Sequence, residues 1–451
     1  MKKVLYLSVI LAFVAGTSLL FANGGKESST SSSSSTGAQP VTVTFWTSHT
    51  PPDTDTMKQM VADYNKSHPD TQVQMTIVPG SETDIAKLMT AVRGGTGPDI
   101  YELDRFTVAQ RAAAGVLTDL SPYIQKFDPN MASKYIGYAW QETQFSGKTW
   151  ALPFDSDSRG LWYNMDMLKS AGIDPSVLDP KNGPLTLDQV DAIAKKLDQT
   201  DSSGSYTQMG WIPFDTTYGQ GWHYTWGFDF GGSFADLAGC KVTPTNSGVV
   251  KAFQWMYNWA KERGPQKVQT FISTYNPPNN PTAQYPYFTG KVAMFISGPW
   301  VIQQINQYAP NTHFGVTYIP VPAAGDKPST WSGGWSVVVP KGAQHPDQAF
   351  QFMTWWTGAP GEKAYTVGTQ HLPTYLPVYN DTSIYTGQLA FFRQLMSISH
   401  SRPPLPVGAL YWDALTTAQN SVELNKQMPE AALQEVASQV QPQLQQYCPL
   451  Q

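Results

Sequence analysis

The sequence predicts an α/β protein of two domains, and three observations carry that prediction. Short alternating apolar stretches and segments with helical apolar spacing follow one another from Val41 onward, the order expected of parallel α/β architecture. A chain of 451 residues is longer than one hydrophobic core usually organises. No internal repeat of solenoid period is present.

Val41, Val43 and Phe45 alternate with threonines and predict a strand. Met57, Met60, Val61 and Tyr64 then share one face of a helix, and Val73, Met75 and Ile77 alternate as a second strand. Ser81 can cap the next helix, whose stripe is Ile85, Leu88, Met89 and Val92 and which stops at Gly94-Gly95. Ile100-Tyr101 opens a third strand. Thr186 and Gln189 form a capping box ahead of a helix carrying Leu187, Val190, Ile193 and Leu197. Val250, Phe253, Tyr257 and Ala260 predict another helix. Val337–Val339 reads as a short buried strand, followed by a helix with Ala349, Phe352, Met353 and Trp356 on one face.

The N-terminus has a separate character. Lys2 and Lys3 precede the apolar run Val4–Phe21 and Ala22, the layout of a secretory signal peptide over residues 1–22. An uncleaved membrane anchor is the rival reading of so long a run. Residues 23–40 are rich in Ser, Thr and Gly and read as a flexible tether. Such a tether suits attachment to a membrane surface, but Asn23 stands where a lipoprotein anchor requires cysteine. The expected location is therefore exported, periplasmic or at the cell surface. In that oxidising setting Cys240 and Cys448 could pair, although their separation in sequence does not decide it. Two cysteines cannot form a zinc site alone, and the 7 histidines show no ligand spacing, so no metal or other cofactor is expected.

Composition narrows the function. Charged residues make up 14%, against about 25% in ordinary soluble domains, whereas aromatic residues reach 13%. So many rings with so little charge must fill large cores or line a cleft. Without Lys2 and Lys3 the chain carries 27 basic and 34 acidic groups, a net charge of −7, and has no basic stripe. Nucleic acid is excluded as a partner on that ground, and a neutral ligand is favoured. Flat rings beside short polar side chains suit a sugar, whose C–H faces and hydroxyl rim need both. That mixture occurs at Trp46–His49, Tyr101–Phe106, Asp155–Trp162, Trp222–Phe230 (with Trp226), Gly298–Trp300, Trp331–Trp335 and Tyr411-Trp412-Asp413. Any single tryptophan is more often core than ligand surface.

Catalytic readings have less support. Asp155 and Asp157 could be the acid/base pair of a glycosidase, or simply a solvated pair at a strand end. Glu102 and Asp104 could form a buried ion-pair site with Arg105. The Gly94–Gly97 stretch lacks the lysine of a phosphate loop, and no nucleophile elbow or dinucleotide fingerprint occurs.

The ordered motifs VTFWTSH, GTGPDIYELDRF, AAAGVLTDLSPYI, FSGKTWALPFDSDSRGLWYNMDMLKSAGI, FTGKVAMFISGPW and GGWSVVVPKGAQHPDQAFQFM resemble those of the family 1 extracellular solute-binding proteins of ABC importers, which include maltose-binding protein. The resemblance runs from about Val41 to the last helices. It implies a two-lobe periplasmic-binding-protein fold, type II-like, with the ligand cleft at the hinge. Lobe 1 would comprise 41–155 and 323–360, and lobe 2 would comprise 156–322 and 361–451. The implied protein is a monomer and not an enzyme; it captures an oligosaccharide or related carbohydrate and delivers it to ABC permease membrane subunits. The same fold could serve a polyol or another small solute.

Carried over by position, Ser48, His49 and Thr50 would lie in the ligand loop after the first strand. Tyr101, Asp104 and Arg105 match sugar contacts of maltose binders, and Trp300 matches a stacking tryptophan. Asp157 stands at an acidic crossover position, shortened from Glu. Gly333, Gly334 and Trp335 form a turn whose backbone touches ligand in related binders, and Tyr411 with Trp412 matches an aromatic pair that covers the sugar. His49 and Thr50 replace charged contacts of maltose binders, so the resemblance does not extend to maltose itself.

Overall fold

Two five-stranded sheets organise the chain in the computed structural model, which describes residues 39–78, 80, 86–214 and 221–450. The leader at 1–22, nearly all of the tether at 23–40, and the Ser81 cap with Ile85 lie outside the described residues. In the first sheet the strand order is Thr71–Ile77, Val41–Thr47, Ile100–Asp104, Trp335–Val338, Leu152–Pro153. The first three run parallel, and Trp335–Val338 is antiparallel to both its neighbours. The second sheet has the order Phe314–Thr317, Gly160–Asn164, Val292–Ser297, Tyr206–Trp211, Gln199–Thr200.

Local pattern explains most of these elements. Val43, Phe45 and Thr47 point inward from the first strand, and Met57, Met60, Val61 and Tyr64 bury one face of the helix Asp53–Ser67. The capping box forms as expected: Thr186 accepts from the Gln189 backbone N–H, and the Gln189 side chain accepts from that of Thr186. Ala349, Phe352, Met353 and Trp356 are all fully buried on the helix Pro346–Trp356. In the helix Ser247–Arg263 the buried stripe is instead Val249, Ala252, Phe253, Met256 and Trp259 with Ala260. It is rotated from the expected one, and Val250 and Tyr257 sit half-buried at its margin. The central strands Gly160–Asn164 and Val292–Ser297 are buried at every residue, as strands covered on both faces must be. Gly160 is needed for that closeness, because a Cβ there would lie 2.9 Å from the Thr317 carbonyl oxygen.

Each sheet has its own core. Val43, Phe45, Met57, Tyr64, Phe352 and Trp356 belong to the first, and Trp162, Trp211, Phe253, Met294, Leu415 and Leu433 to the second. A disulfide between Cys240 and Cys448, with Cα atoms 6.0 Å apart, ties the C-terminus to the second half.

Between the sheets the chain crosses through 154–159, through 318–334, and again after Thr369. The first passage is paired at Asp155–Ser156 with Leu372–Pro373, and the second at Thr330–Ser332 with Ser399–Ser401. The helix Ala359–Thr369 packs on Asp53–Ser67: Tyr365 shares the first core with Met57, and a Cβ on Gly368 would collide with Thr56. The expected boundary at 360/361 therefore falls inside a helix of the first core, while Leu372 belongs to the second. Trp331 also lies in the second core and Val337 in the first.

Candidate functional site

The crossing strands are held by buried charge. Arg105 is fully buried at the end of the strand Ile100–Asp104. Its Nε donates to Glu142 at 2.9 Å, one Nη to the carbonyls of Asp155 and Trp335 (the latter at 3.2 Å), and the other Nη to the Gly333 carbonyl. One guanidinium thus grips both crossing strands. The Asp155 carboxylate accepts the Trp335 backbone N–H at 2.6 Å, and Asp157 accepts that of Gly333 at 2.7 Å while pairing with Arg159. Burial pushes the Asp155 pKa up to about 6, opposed by His371, the Trp335 N–H and Arg105. Asp155 and Asp157 are only 1% and 5% exposed, so the expected solvated pair is instead a buried pair used to join strands.

A second knot corrects the expected pairing around Asp104. Its partner is Arg402, at 2.5 and 3.1 Å, and not Arg105. The Arg402 guanidinium lies over the ring of Phe106 at 4.2 Å and near Trp331 and Trp412 at 5.1 and 5.6 Å. Trp412 packs on Phe106 with ring centres 5.0 Å apart and on His223 at 4.9 Å. Burial pulls the His223 pKa down to about 3. Glu102, the other acid of that strand, accepts from Thr47 and lies 3.5 Å from His49 Nε2.

Aromatic groups from both halves meet beside this grip. His49 follows the first strand, and its ring centre lies 4.8 Å from that of Trp335 and 6.4 Å from that of His371. His371 in turn stacks on Trp300 at 5.2 Å and 21°. Arg159 is 3.7 Å from the Trp331 ring centre and 5.6 Å from that of Trp300. Burial lowers the His49 pKa, but Glu102 and Asp53 outweigh it and hold the value well above the usual one. In this group the Trp300 and Trp335 rings are half-buried, as is the neighbouring Ser48, and Thr50 is exposed. Trp300 is set at the head of the helix Val301–Tyr308 by Gly298-Pro299, and its ring lies so close over Gly298 that a Cβ there would collide with it.

The remaining candidates lie elsewhere. Tyr101 is buried in a small core with Leu103 and Val338. Trp226 is fully buried and donates from Nε1 to the Pro213 carbonyl at 2.9 Å. Tyr411 is fully buried and donates to the Phe234 carbonyl at 2.9 Å. Gly333 already donates its N–H to Asp157, and Gly334 holds φ +131° with Arg105 and Asp155 where a Cβ would sit. The structure therefore brings His49 and Trp335 together and links them to Trp300 through His371, with Ser48 and Thr50 flanking His49 in the chain. It joins Asp104 and Trp412 in the Arg402 knot, puts Arg105, Asp157, Gly333 and Gly334 in the crossing, and leaves Tyr101, Trp226 and Tyr411 in cores. His371, Arg159 and Arg402 were not anticipated. A buried Asp104 implies a cation, but nothing local identifies one 298 residues away.

Comparisons agree with this architecture. Residues 50–363 match the family described as bacterial extracellular solute-binding protein. The galactooligosaccharide-binding protein of Bacillus subtilis (strain 168) is 23% identical over 98% of both chains. The maltotriose-binding protein of Pyrococcus abyssi (strain GE5 / Orsay) is 22% identical over 84% of this chain and 77% of its own. Among solved structures, CpMnBP1 with mannotriose bound is 27% identical, with a TM-score of 0.77 over 89% of this chain and all of that one. The family match spans well over half of the chain, and the overall fold superposes on that solved structure across nearly nine-tenths of the chain. The chain belongs to the bacterial extracellular solute-binding proteins, with their two-lobe periplasmic-binding-protein fold.

Proposed function

We propose that this chain captures an oligosaccharide between its two lobes and delivers it to the membrane subunits of an ABC importer. The observation that carries this reading is the meeting of Trp300 from the second half with Trp335 and His49 from the first, around His371 at the crossing, with both indoles half-exposed. Indole faces suit the C–H faces of a sugar, while Ser48, Thr50, His49 and Arg159 supply hydroxyl partners from both sides. Relatives that bind galactooligosaccharides and maltotriose support the carbohydrate class. Closure of the lobes over the ligand needs only that the closed form bind it better. Asp155 and Asp157 are committed to Trp335, Gly333 and Arg159, so the reading assigns them no group transfer. The Lys2-Lys3 leader supports export, and we propose that the mature protein acts as a monomer.

A thermal-shift panel of mono-, di- and oligosaccharides tests the reading. Ligand at a hundredfold excess over Kd should stabilise the protein by about 3 kcal/mol, and the sugar should be recovered intact. A panel without a shift, or release of hydrolysis products, would overturn it.

A further inference from the structure

A cavity of about 760 Å³ lies between the end of the helix Trp222–Asp229, the segment 322–329 and residues 397–400. It shares no residue with the Trp300–Trp335 group. Its size is within the roughly 300–1,000 Å³ of small-molecule sites. Asp229 lines it, is 8% exposed, and neither carboxylate oxygen has a hydrogen-bond partner. The Ser329 hydroxyl, also buried and lining it, has none either. A buried carboxyl group left so is unfavourable unless something in the cavity bonds to it. One wall is aromatic, with Phe228 stacked on His400 at 4.9 Å and 12°.

We propose that this cavity binds a small neutral polyhydroxylated solute, a polyol or a single sugar ring, whose hydroxyls bond to Asp229 and Ser329 and whose C–H face lies against the exposed His400 that Phe228 backs. The lining carries both signs of charge, Asp326 as well as Lys251 and Lys327, and so favours no strongly charged ligand. Burial, with a smaller push from Asp326, raises the Asp229 pKa well above the ordinary carboxyl value. Burial thus favours the neutral carboxyl, the form that both donates to and accepts from hydroxyls. Position gives the site a consequence. Ser329 leads directly into Thr330–Ser332, whose ladder partners Ser399 and His400 also line the cavity. A solute bound there touches the paired strands of the crossing, and it alters oligosaccharide affinity to the extent that it binds open and closed lobes differently.

Equilibrium dialysis of radiolabelled glycerol, sorbitol and glucose against the full-length protein tests this, with Asp229→Leu, Asp229→Asn, Ser329→Ala and Trp300→Ala in parallel. At least one probe should bind the wild type, bind about tenfold more weakly to Asp229→Leu and Ser329→Ala, and bind unchanged to Trp300→Ala. Asp229→Asn keeps the shape and hydrogen-bonding capacity of the neutral acid and should retain binding, which also serves if the leucine variant does not fold. Binding by none of the probes, or binding lost only in Trp300→Ala, overturns the proposal. So does binding of methylammonium in place of all three, since that would make Asp229 an ionised partner of a cation. None of these failures touches the oligosaccharide reading, which stands or falls with Trp300.

Discussion

Arg105→Met separates a residue that holds the hinge from one that holds the ligand. The substitution leaves the Glu142 carboxylate buried without its 2.9 Å partner and removes the donor to the carbonyls of Asp155, Gly333 and Trp335. Breaking a buried ion pair from one side costs about 3–5 kcal/mol, and the carbonyls of Asp155 and Gly333 add up to about 1 kcal/mol each where water cannot reach them, that of Trp335 keeping the Phe154 N–H at 3.0 Å. The expected loss is thus about 3–7 kcal/mol, a large part of the roughly 5–15 kcal/mol that stabilises a typical protein. Urea denaturation followed by fluorescence and circular dichroism reads it as a lower midpoint. Arg105→Met with Glu142→Leu should recover part of the loss, because the uncompensated carboxylate is gone. A loss under about 1 kcal/mol, the range of an exposed pair, would refute the reasoning. So would normal stability with abolished sugar binding, which would return Arg105 to the ligand.

Further outcomes follow from the same geometry. Replacing Cys240 and Cys448 by serine opens a crosslink spanning 208 residues and should cost about 2–5 kcal/mol, read as a lower melting temperature that a reductant no longer changes. Asp155 has a native pKa of about 6 against an ordinary 3.8, so the folded state holds the extra proton between those values. Its contribution to stability should therefore fall as pH rises through that window and stay flat above it. Asp155→Asn should lack that slope in melting temperature measured against pH, and an identical slope in the variant would place the titration elsewhere.

Much of the fold was legible because it is written locally. The buried stripes of Asp53–Ser67 and Pro346–Trp356 and the capping box at Thr186 follow from spacing alone. The stripe of Ser247–Arg263 was harder to place, since apolar residues occupy most of that helix and only the facing elements decide which are covered. The candidate site was legible in part. Trp300 and Tyr411 occur in similar Gly- and Pro-flanked or aromatic settings, yet one is half-exposed at the crossing and the other is bonded to Phe234 inside a core. Sequence cannot separate a ring that fills a core from a ring that lines a cleft, because both are apolar and only tertiary contacts differ. For the same reason it did not reveal that Asp104 pairs with Arg402, or that His371 sits between Trp300 and His49. Nor could it bring Cys240 and Cys448 to 6.0 Å.

Calorimetric titration of the oligosaccharide that gives the largest thermal shift, into wild type and Trp300→Ala, tests the sugar reading most directly. Wild type should bind one ligand per chain, and the variant should bind it with a loss of at least about 2 kcal/mol, near thirtyfold in Kd. Equal affinity in the two proteins would contradict a carbohydrate held on the Trp300 ring.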